Sequence, residues 1–389
     1  MKLPSLLVAI AACSSNAGPH GTIIDGGPLA DAAVDAAPDA PGPPTVELMS
    51  FGSTPTYAAY RAGGGAWQLA TSSDGHTYKL VADADYEFVA VCASMDGTLD
   101  EVEVDAMASD GANFFSCFND DSLGSATPTI TVTGTMNQPG IVTLFEIASG
   151  SAAPWMFSLQ VPPSSLQDLF AIGSSSMLIR RGVAIGAAAT QAIATIDLAA
   201  DGTALATEPI AITGLGSDDA ILSQVALSTQ YGFATISNGS SATSLVMPPA
   251  SLLASGDAQL IALDAYDATS DREFQTEDPS ITTFALLPRL DGVAFAAGSA
   301  SWTSLPASSQ RYQFQLAATG QSTGMTASVS ISPAWLAATA ATSIGFDDAA
   351  PGWQSAWSFW TTGAYQPSLA AETSDATTFQ STTAYGSGA

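Results

Sequence analysis

Gly320-Gln321-Ser322-Thr323-Gly324 spells the GxSxG of a serine nucleophile set on a strand-to-helix turn. That chemistry needs a histidine after the serine, and the chain's two histidines, His20 and His76, both precede it. Strand-like YQFQLAAT before and MTASVSIS after make the segment read as a hairpin turn instead. Two histidines also fall short of a zinc site built on imidazoles. Neither lysine follows a glycine, so no P-loop is present, and no serine stands three residues before Lys79. The 36 acidic residues offer pairs for glycoside hydrolysis, but that reaction depends on a separation in space rather than along the chain. Asp96-Gly97-Thr98-Leu99-Asp100-Glu101, Asn119-Asp120-Asp121 and Asp347-Asp348 carry oxygen donors for calcium without the DxDxDG spacing that converges them on one ion. The expectation is a noncatalytic protein with no cofactor and no bound metal.

Two other groups of residues hold chemical interest. Cys92 ends YEFVAVC and Cys117 ends ANFFSC, both in apparent strands. In an oxidising compartment a disulfide between them is the default, closing a loop that contributes about 3 to 4 kcal/mol; two buried free thiols are the alternative. PGWQSAWSFW places Trp353, Trp357 and Trp360 close together, a candidate platform for a sugar ring or an apolar partner group. Read as a strand, the segment sets Trp357 and Phe359 on one face and Trp360 on the other, and core packing is the competing use of such rings.

The third cysteine, Cys13, follows Lys2, about ten mostly apolar residues and the small pair Ala11-Ala12, the order of a secretory signal. The apolar run is too short to span a bilayer, which takes about 20 residues. Ile10-Ala11-Ala12-Cys13 resembles the lipobox of bacterial lipoproteins, with Ile10 where leucine is usual. The resemblance implies a signal peptide over 1–12, lipidation of Cys13, and an anchor in the bilayer. Residues 13–44, rich in Ala, Asp, Gly and Pro, bury too little apolar surface to offset the entropy of ordering and read as a disordered tether. Such a stalk behind an acylated cysteine resembles surface lipoproteins of myxobacteria-type Gram-negative cells. Ser14 after the cysteine points to the outer membrane, on its periplasmic or outer face.

From residue 45 onward, short β-rich runs recur between Gly, Pro, Asp and Ser, and no window holds helical periodicity over twelve residues. A strand-end motif repeats as Val161-Pro162-Pro163, Met247-Pro248-Pro249 and Ile331-Ser332-Pro333, spaced 86 and 84 residues. That period is near the size of an Ig-like sandwich. The predicted fold is all-β, with tandem Ig-like β-sandwich units at 45–126 (holding the disulfide), 127–208 and 209–290, and a Trp-rich β unit at 291–389. A β-propeller, or one larger sandwich or barrel at the C-terminus, is the alternative.

AYRAGGGAWQLA with YKLVADADYEFVAVC, and LIRRGVAI with IDLAADGTAL, resemble domains of uncharacterised bacterial lipoproteins with repeated β domains, a likeness that implies architecture and no activity. Against the 36 acids stand 8 basic residues, a formal charge of −28, which excludes nucleic-acid binding. The expected function is a lipid-anchored envelope protein with a structural or binding role, partnering the bilayer through acylated Cys13 and an envelope protein or glycan. A carbohydrate-binding or glycan-processing protein and a calcium-assisted adhesion module are the alternatives.

Overall fold

Alternation of side chains sets the clearest strands. Arg311–Ala318 buries Tyr312, Phe314, Leu316 and Ala318 and turns Arg311 and Gln315 outward, and Met156–Val161 and Thr326–Ile331 follow the same period of two. The structure is a computed structural model. It describes residues 45–52, 54–82, 85–93, 102–109, 114–117, 129–144, 147–150, 155–319, 325–361 and 364–386. The signal peptide, Cys13, the tether, and the segments 96–101, 119–121 and 320–324 lie outside the described residues.

Twelve strands join in one open sheet. In chain order they are β1 (Tyr57–Ala62), β2 (Gln68–Leu69), β3 (Tyr86–Ala93), β4 (Val102–Ser109), β5 (Ala220–Thr229), β6 (Gly232–Gly239), β7 (Ala258–Tyr266), β8 (Ser270–Thr276), β9 (Arg311–Ala318), β10 (Thr326–Ile331), β11 (Tyr365–Ser374) and β12 (Thr378–Tyr385). Their order across the sheet is β6-β5-β7-β8-β12-β11-β9-β10-β4-β3-β1-β2. Neighbours are antiparallel except β10 and β4, which run parallel with Thr326 opposite Glu103. The antiparallel pairing of β9 with β10 makes 320–324 the connection between two adjacent strands.

Among the described residues the apolar side chains gather in four clusters, centred one in each expected unit. Leu48, Leu80 and Phe115 cover Tyr60 and Phe88 on one face of β1 and β3. Ala59, Val89 and Val91 on the opposite face join the C-terminal core around Phe314, Leu316 and Leu369. Both faces of β3 are therefore buried, which is why YEFVAVC is apolar nearly throughout. Residues 130–198 form a sandwich of two smaller sheets over Val132, Phe157, Leu159 and Leu169. A fourth core packs Val225, Leu263, Phe274 and Phe284, with Phe170 and Met177 entering from the preceding unit.

The fold is all-β and sandwich-type. Both ladders and cores run across the expected boundaries: β8 pairs with β12 across 290/291, and β10 pairs with β4 across more than 200 residues of chain. Residues 43–389 accordingly form one compact unit. The sheets are open and of unequal width, unlike the equal blades of a propeller.

The three copies of the repeat share a physical role. Val161, Met247 and Ile331 each end a strand with a buried side chain, and a proline within two residues prevents the ladder from continuing. The copies then diverge. Ser164 turns at φ 56° in the first, Ala250–Leu252 form a 3-10 turn in the second, and in the third Ser332 caps a helix, Pro333–Thr339, by accepting from the Trp335 N–H with proline at the first helical turn.

Candidate functional site

The tryptophan segment is not a strand. After Gly352 at φ 80° it makes two 3-10 turns, Ser355–Trp357 and Phe359–Thr361. Trp357, Ser358, Phe359 and Trp360 are all buried, at 4, 3, 6 and 5% exposure. A strand would have turned every second ring to solvent, whereas a turn lets consecutive rings enter the core. Trp360 packs against Gly298 so closely that a Cβ there would lie 2.6 Å from the indole. The expected platform is corrected: Trp357 and Trp360 are core, and of the three only Trp353 reaches the surface, half-buried, with its Nε1 donating to Ser358 Oγ at 2.8 Å.

Trp353 instead borders a small, solvent-open cleft with Trp67, Glu87, Ile344, Phe346 and Asp347. Arg61, on β1, organises its polar side. Its guanidinium lies 4.8 Å from the centroid of the Trp67 ring, donates from Nη2 to Glu87 Oε2 at 2.7 Å, and donates from Nη1 to Asp347 Oδ2 at 3.0 Å. Trp67 Nε1 donates to the same Asp347 oxygen at 2.8 Å. Arg61 and Glu87 are directly opposite on β1 and β3. Trp67 is folded back over the arginine by the Gly63-Gly64 turn, whose φ of 53° and 69° suits glycine.

Burial raises the Asp347 carboxyl, but the Trp67 donor, the Ala349 N–H and the Arg61 charge outweigh it and hold the group below its ordinary range. Asp347 is thus an ion-pair partner of Arg61. Arg61 Nε is buried without a hydrogen-bond partner. Two half-buried indoles thus stand beside two carboxylates that Arg61 holds in place.

Cys92 is 2% exposed and disulfide-bonded, so the free-thiol alternative fails for it. The backbone of Cys117 lies beside Gly52 in a parallel ladder, and its side chain is outside the described residues. Among the described residues, no group of three or more His, Cys, Asp or Glu is placed to hold a metal ion, and no helix is long and apolar enough to cross a membrane.

Sequence reasoning passed over Arg61, Trp67 and Glu87. The signal was present in AYRAGGGAWQ: an arginine and an indole six residues apart about a triple glycine, in a chain with few cations. The fold and this site define an acidic all-β protein on an open twelve-stranded sheet, with a small cleft lined by aromatic rings and two carboxylates. No protein-family model matches the chain, and no curated protein matches it.

Proposed function

We propose that the protein is a noncatalytic lipoprotein of the bacterial cell envelope, held on the outer membrane by lipidated Cys13, with its β body serving a structural or binding role. The observation that carries this reading is the order of residues 1–44: a charged start, a short apolar run, Ala11-Ala12-Cys13, then an Ala/Asp/Pro/Gly segment ahead of the strand at Thr45. Two or three acyl chains hold a protein durably where one does not. The disulfide at Cys92 suits an oxidising compartment, and Cys117 is its proposed partner. Fractionation tests the anchor: labelled palmitate enters the parent chain, and a Cys13→Ser variant loses both the label and the membrane fraction. Retention of both in the variant overturns it.

One observation favours a carbohydrate-binding role for the body, the small cleft that Trp67 and Trp353 line with Glu87 and Asp347, both held by Arg61. On a glycan array, Trp67→Ala is expected to weaken binding at least tenfold, while Leu69→Ala, an exposed neighbour, leaves it unchanged. Equal binding by parent and Trp67→Ala removes the cleft from consideration.

A further inference from the structure

The face of β7, β8 and β12 that points away from the Phe274 core carries three carboxyl groups at one place. Asp264 on β7 lies directly opposite Glu273 on β8, and Asp271 sits two residues away along the same face of β8. Asp264 is 6% exposed, and its carboxyl has no hydrogen-bond donor among the described residues. One oxygen of Asp271, Oδ1, is buried without a partner. Glu273 accepts from Gln275 Nε2. Isolated buried carboxylates without donors are costly, and like charges side by side add to the cost.

The surroundings supply little relief. On β12, Ser381 and Thr383 stand opposite Glu273 and Asp271, and Tyr385 is the titratable group. β5, on the far side of β7, contributes no ionisable side chain, and Tyr266 ends β7. On β11, Glu372 faces Ser381 and is held by Arg311 of β9 at 3.9 Å. The nearest cation, Arg272, projects to the other face of β8, where it binds Asp219 and the Gly214 carbonyl.

We propose that Asp264 and Asp271, set beside Glu273, form a proton-operated latch on the β7–β8–β12 seam, closed while these two carboxyls hold protons and loosened when they ionise. The seam matters because β8–β12 is the ladder that joins residues 220–276 to residues 311–385. A protonated carboxyl can donate to its neighbour across the strands, which supplies the missing partner.

Burial, then the Glu273 and Asp271 charges, push Asp264 up to about 7; burial and Glu273 push Asp271 up to about 6. Burial and the same three acids push Tyr385 up to about 12, as expected of a phenol beside negative charge. For an acid whose folded value is raised, the favourable contribution is complete below its unfolded value and is lost as pH rises through the folded value. The window of loosening therefore runs from about pH 4 to above pH 7.

The test is hydrogen exchange on the full chain at pH 5.5 and 8.5, with rates corrected for intrinsic base catalysis. Protection of the β8 and β12 amides is expected to fall at least tenfold more than that of β9 and β10 between the two pH values. Asp264→Asn should abolish most of that difference, and Glu273→Gln, at a more exposed position, should reduce it as an independent variant. A parent protein whose seam and β9–β10 amides change in parallel overturns the proposal. So does restoration of parent protection at pH 8.5 by millimolar calcium chloride, which would assign the carboxyls to a cation.

Discussion

Arginine in this chain works as an internal staple. Arg61 ties β1 to Glu87 and Asp347, Arg181 bridges Asp168 and Asp257, Arg311 meets Glu372, and Arg180 donates to the Ala194 and Thr195 carbonyls. The most enclosed arrangement joins Arg272 to Asp219, Asp219 to Arg289, and Arg289 to Asp267. Burial raises Asp219, but the Gly216 N–H and both guanidiniums outweigh it, so its carboxyl sits below the ordinary range. Its stabilising contribution is present above the unfolded value and is lost as pH falls through the folded one, opposite in sign to the Asp264 cluster. Asp219→Ala leaves Arg272, whose side chain is 2% exposed, without a counter-charge; urea unfolding at neutral pH should register a loss of about 3 to 5 kcal/mol. A loss under about 1 kcal/mol would mean that the network contributes little. None of these partnerships was legible in sequence, because each joins residues that only the fold brings together.

At the scale of elements, the strand character of RYQFQLAA and TASVSI was readable, and both are strands that bury every second side chain. The strand-end prolines were readable too, since a missing N–H and fixed φ act locally, and all three copies end a strand. The path of the chain beyond each proline depends on single residues. Ser332 preceding Pro333 starts a helix that the copies with paired prolines do not form. The segment from Trp357 to Trp360 misled the strand reading because aromatic residues favour strands in general, while here the core takes all four consecutive side chains. Cross-sheet order lay beyond local pattern: nothing in β10 itself names β4, over 200 residues earlier, as its parallel neighbour.

At the scale of the molecule, the described apolar side chains form four cores, and strands around three of them share one sheet. A body of this kind has to open its β8–β12 or β10–β4 ladders before its parts separate. Its formal charge of −28 also bears on location. Anionic leaflets repel such a surface and attract only polybasic ones, so electrostatic adsorption cannot hold it on a membrane, and the acyl chains proposed on Cys13 have to supply the attachment. The central claim is met most directly by mass spectrometry of the N-terminal peptide of the protein purified from membranes. The account predicts that the peptide begins at Cys13 and carries the added mass of a diacylglyceryl group on sulfur. A mature chain that begins elsewhere, or at an unmodified Cys13, would contradict it.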